Sequence, residues 1–163
     1  MRTAITFILL CVVGSANAVN EIPSALTLQL AESIESLSRK LEYCRENEKT
    51  LNSEKIKSLG LERDELKIVL AYQFSRLHFE CSRREYVDYL IATRAFNEYA
   101  SQSGKEMMQK LDKIIASSEK YRWDAIEKYN ALPQKIQKRV EESRLFNEPF
   151  NLLDSLPLVS SND

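Results

Sequence analysis

Cys44 and Cys81 restrict the folds open to this chain more than any other pair of residues, because each continues an apolar seam in a long stretch of helical pattern. Leu30, Ile34, Leu37, Leu41 and Cys44 recur at alternating spacings of four and three, which places them on one stripe of a helix, while Glu32, Glu35, Arg39, Glu42 and Glu46 cover much of the rest. Leu70, Phe74, Leu77 and Cys81 make a second stripe further along. In an antiparallel helix pair, residues equidistant from the reversal stand level, and the midpoint between positions 44 and 81 is 62.5, beside Gly60. The two sulfurs are therefore expected to meet across a disulfide-stapled helical hairpin. Closing this 37-residue interval would contribute about 4 kcal/mol by restricting the unfolded chain.

The N-terminus explains why such a bond could form. Arg2 is followed by an apolar run from Ala4 to Val13 and then by the small residues Ala16 and Ala18, the three parts of a secretory signal peptide covering residues 1–18. The run is half the roughly 20 residues a permanent membrane helix needs, so no transmembrane anchor is expected. Cys11 would leave with the signal, because Leu10 stands where a lipoprotein signal calls for a small residue. The remaining chain would meet an oxidising compartment, periplasmic or extracellular, which favours a Cys44–Cys81 disulfide over two buried free thiols. There is no Cys-x-x-Cys pair, so the bond is read as a staple and not as a redox site.

Residues 19–163 are enough for one domain with a single core. Without Arg2 the 23 basic side chains become 22 against 24 acidic ones, a net charge near −2. That balance leaves no excess of cations to neutralise phosphates and excludes nucleic acid as the expected partner. Only three Gly and four Pro interrupt the whole chain, so the fold class is all-α, a single-domain bundle of about four helices.

The first helix is expected from about Ala25, after Pro23 and Ser24, to about Lys57. Ser58 to Leu61 then reverses the chain, with Gly60 free to adopt a left-handed conformation. A second helix runs from about Arg63 to Gln102. Its residues Leu66, Ile68, Val69, Leu70, Tyr72, Phe74, Leu77 and Phe79 point nearly all round, as suits a central element. Gly104 is expected to break the pattern before a third helix, from Lys105 to about Leu132, with Met107, Leu111, Ile114, Ile115, Ala125, Ile126 and Tyr129 inward. Pro133 starts or kinks a fourth helix carrying Ile136, Val140 and Phe146, which Pro149 ends. The apolar tail 150–163 is expected either to dock back on the bundle or to serve as a partner-binding peptide.

Candidate sites are few. His78, the only histidine, lies three residues before Cys81 on the same side of its helix, but a metal site there would have three ligands at most and would compete with the disulfide for both sulfurs. No metal site and no cofactor are expected, and His78 is read as structural. No nucleophile-elbow pattern such as Gly-x-Ser-x-Gly occurs, so the catalytic residues are unknown. The most unusual feature is the pair Arg84 and Asp88, which interrupts the second helix's stripe before Ile91 and Ala95 resume it. Either the covered face rotates toward Val87, Leu90 and Ile91, leaving Arg84 and Asp88 as an ordinary surface pair, or Arg84, Asp88 and Arg94 line a polar pocket between helices.

Two classes of function follow. The first is an exported, non-catalytic binding or structural protein, an adaptor, chaperone, inhibitor or assembly component whose partner is a protein, using an amphipathic or aromatic helix face. The second is a small helical enzyme or ligand binder using the polar pocket near Arg84 and Asp88.

Overall fold

The computed structural model describes residues 24–100 and 102–155, except the side chains at 102, 103, 105, 107, 111, 112 and 114. The expected signal segment 1–18, the inward placement of Met107, Leu111 and Ile114, and Leu156, Leu158 and Val159 of the tail lie outside the described residues. The described chain is mostly helical and contains no strand. Among the described residues the helices are α1 (Ser24–Glu46), α2 (Ser53–Ser58), α3 (Arg63–Tyr99), α4 (Gln102–Asn130), α5 (Gln134–Glu142) and α6 (Leu152–Ser155).

The first departure from expectation is the early end of α1. Instead of continuing to Lys57 it stops at Glu46, where Asn47 caps it by donating Nδ2 to the Tyr43 carbonyl at 2.8 Å. A few residues on, Lys49 runs beside Phe150 as a parallel bridge, its amide donating to the Pro149 carbonyl at 2.8 Å and its carbonyl accepting from Asn151 at 3.1 Å. Asn52 then caps α2 by accepting from the Lys55 amide. Asn favours such ends because its short amide bonds the local backbone as well as a helix does. Gly60 ends this linker at φ +57°, and Arg139 Nη1 donates to the Leu59 and Gly60 carbonyls at 2.6 and 3.1 Å. A capping box, Glu62 with Glu65, opens α3.

The second departure is at the far end of α3. The break comes after Tyr99, with Ala100 extended, and Gly104 lies inside the first turn of α4. The helix after Pro133 is also shorter than expected, so that Phe146 packs from the turn beyond Glu142.

α3 is the central element, packed by α1, α4 and α6. Its two ends serve different cores. Leu66, Val69, Leu70 and Leu77 meet Leu51, Ile56, Leu59 and Leu61 of the linker, Tyr129 of α4, Ile136 and Val140 of α5, and Phe146 and Phe150. At the other end, among the described residues, Tyr89, Ala92, Phe96 and Ala100 meet Leu30 and Met108, with Ile34, Leu37 and Ile115 packed against them. As α1 ascends from Leu30 to Cys44, its partners on α3 descend from the Tyr89–Phe96 stretch to Cys81.

Candidate functional site

The middle of α3, between the two cores, holds the residues that the sequence singled out. Cys44 and Cys81 are bonded, with Cα atoms 6.1 Å apart. Both sulfurs are therefore used. Among the described residues, no group of three or more His, Cys, Asp or Glu comes together. One turn before Cys81, His78 Nε2 lies 3.4 Å from Glu48 Oε1 without forming a hydrogen bond, and the ring packs on Phe74 at 4.3 Å between centroids. Burial holds the His78 pKa below its ordinary value, against the opposing pulls of Glu48 and the Phe150 backbone. The imidazole is thus neutral near pH 7, and its contact with Glu48 is not an ion pair there.

On its other flank the same stretch of α3 is fastened to α4. The Tyr86 hydroxyl donates to Glu119 Oε1 at 3.0 Å, and Glu119 also pairs with Arg122. The Arg122 guanidinium lies over the Phe79 ring, 3.9 Å from its centroid. Burial first, then the neighbouring Glu119, push the Tyr86 pKa up to about 12. A staple on one side and a charged brace on the other hold the middle of α3 in place.

Arg84, Asp88 and Arg94 are all exposed, and none forms a side-chain hydrogen bond or ion pair among the described residues. The charges interrupt the stripe because the covered side of α3 lies elsewhere. Nor does it rotate toward Val87, Leu90 and Ile91. Tyr89, Ala92, Thr93 and Phe96 are buried instead, since Leu30 and Met108 approach from that direction. Val87, Leu90 and Ile91 remain 43%, 42% and 58% exposed. Spaced at i, i+3 and i+4, they share one face with Arg84 and Arg94. Leu41, expected on the inner seam of α1, is 47% exposed. By the register that pairs Cys44 with Cys81, the α3 residue level with Leu41 is Arg84, a solvated cation in place of an apolar lid.

The aromatic residues divide. Tyr72 and Tyr129 stack inside at 3.9 Å, and Tyr89 and Phe96 are buried. Tyr43, Tyr99, Tyr121 and Trp123 are exposed. Of the tail, Phe150 is fully buried and Leu152 packs on the larger core, whereas Leu153 faces solvent. No described helix is long and apolar enough to cross a membrane.

The α3 surface therefore combines three exposed apolar side chains with cations on a doubly fastened helix. Comparison of the chain with protein-family models, with curated proteins and with solved structures found no match.

Proposed function

We propose that this chain is an exported, non-catalytic binding protein whose docking surface is the outer face of α3. The observation that carries the reading is the exposure of Val87, Leu90 and Ile91 together on one helix face, opposite the buried Tyr89 and Phe96. Isolated exposed apolar residues are ordinary, but a contiguous patch on a fixed element points to a partner. The rigid unit beneath it is an antiparallel hairpin of α1 and α3 stapled by Cys44–Cys81, a bond suited to an oxidising extracytoplasmic compartment.

Charge selects the partner's chemistry. Between positions 83 and 94 the exposed charged residues are Arg83, Arg84, Asp88 and Arg94, an excess of positive charge around the apolar centre. The fitting occupant is a protein segment, helical or extended, with an apolar ridge flanked by carboxylates. An enzyme working by electrostatic positioning is disfavoured at this place, since Arg84, Asp88 and Arg94 stand in open solvent.

A photocrosslinker placed at Ile91 in the source cells tests this. One protein adduct is expected, reduced at least tenfold by Arg84→Glu together with Arg94→Glu, while a crosslinker at the exposed Lys57 of α2 yields none. Adducts equally strong from Lys57, or indifferent to the charge reversal, would refute docking on α3.

A further inference from the structure

A cleft of about 330 Å³ opens between α3, the end of α4 and α5, away from the docking face and outside the role proposed for it. This volume lies at the small end of the range for ligand pockets. Part of its wall is the half-buried Tyr72, stacked on the buried Tyr129. Gln73, only 4% exposed, accepts from Arg76 Nε at 2.9 Å. The Arg76 guanidinium also donates to both Glu80 oxygens at 3.0 Å and, through Nη2, to the Phe146 carbonyl at 3.0 Å. It is a cation held in a single orientation by three partners.

Arg144, on the rim, is the opposite case. It has φ +50°, the one non-glycine residue with a positive φ among those described. It follows Ser143, the C-cap of α5, at the place where helices commonly end on glycine because a side chain there is strained. Its own side chain is exposed and bonds to nothing among the described residues, so no internal contact offsets that strain. Backbone strain without a structural return is characteristic of functional positions. Arg76, Arg144 and Glu141 line the cleft, and because Glu80 already neutralises Arg76, Arg144 is the lining cation that pairs with no carboxylate among the described residues.

We propose that the cleft binds a small monocarboxylate with a flat apolar body, the carboxylate held by Arg144 beside Arg76 and the body lying along Tyr72. Guanidinium groups match carboxylates in geometry and charge. Glu141 would repel a second negative charge and so exclude dianions.

The test is titration calorimetry of the oxidised chain with benzoate, inorganic phosphate and benzylamine, repeated on Arg144→Gly. Saturable benzoate binding with a Kd of about 1 mM or tighter is expected, with at least tenfold weaker binding of the other two probes. Arg144→Gly should weaken benzoate at least tenfold while raising the melting temperature by about 2–4 °C, because the strain is relieved. A variant that melts lower would make Arg144 a structural residue and overturn the proposal. So would undiminished benzoate binding by the variant, or no saturable benzoate binding by the parent chain.

Discussion

The two ends of α3 are built on different terms. The end from Leu66 to Leu77 is enclosed by the linker, α4, α5 and the segment through Phe150, whereas the end from Tyr89 to Ala100 is covered, among the described residues, by Leu30 and Met108 with Ile34, Leu37 and Ile115. One end is a core closed from several directions, and the other is a seam between three helices. The lesson is that a central helix need not be covered evenly, and that Val87, Leu90 and Ile91, the apolar side chains left exposed together on it, lie toward this second end.

Core truncations test this contrast most strongly. Phe150→Ala removes a fully buried ring at the meeting of linker, α3 and tail, and should destabilise the fold by about 3–5 kcal/mol. Phe96→Ala should cost at least about 1 kcal/mol less, because a seam between helices collapses more readily around a void than an enclosed core does. Equal losses in urea titrations would erase the distinction between the ends. The disulfide comes next. Replacing Cys44 and Cys81 together by Ala should cost about 2–4 kcal/mol, and hydrogen exchange should rise more at the Tyr89–Ala100 end, which has fewer other ties.

A smaller effect concerns acid. His78 is harder to protonate in the fold than its ordinary value of 6.5 implies, because it is buried. As pH falls the unfolded chain takes up the proton first, so this contribution is fully present above about pH 6.5 and lost as pH falls toward the lower folded value. Melting temperatures measured at about pH 7.5 and about pH 5 should therefore converge more closely in His78→Gln than in the parent chain. A drop of the same size in both would remove His78 as a cause. Smallest of all, Ile91→Ser should leave stability within about 0.5 kcal/mol of the parent. A larger loss would mean that the face is already covered within the fold.

How much of this was legible depended on whether one helix or several had to be read. The Cys44–Cys81 bond followed from two seams and a single reversal near Gly60. The stop at Glu46 was also written locally, in Asn47 and Asn52, but the regular seam through Cys44 masked two good caps. Which of the two apolar stripes on α3 would be covered could not be read. Val87, Leu90 and Ile91 are as apolar as their buried neighbours, and only the direction from which Leu30 and Met108 arrive decides between them. The cleft was hidden for the same reason. Arg76 and the Phe146 carbonyl that it bonds are 70 residues apart, and nothing in either local pattern announces the other.

The bridge between Lys49 and Phe150 also sets an order of events. Leu51 and Ile56 share a core with Phe146 and Phe150, which leave the ribosome about a hundred residues later. A chain emerging into an oxidising compartment can join Cys44 to Cys81 as soon as both have passed, well before that core can close. In such a compartment covalent closure would precede packing at the crowded end, and a nascent chain stopped short of Pro149 would carry its staple with the linker's leucines uncovered. Quality-control factors that recognise exposed apolar segments would have their longest opportunity there.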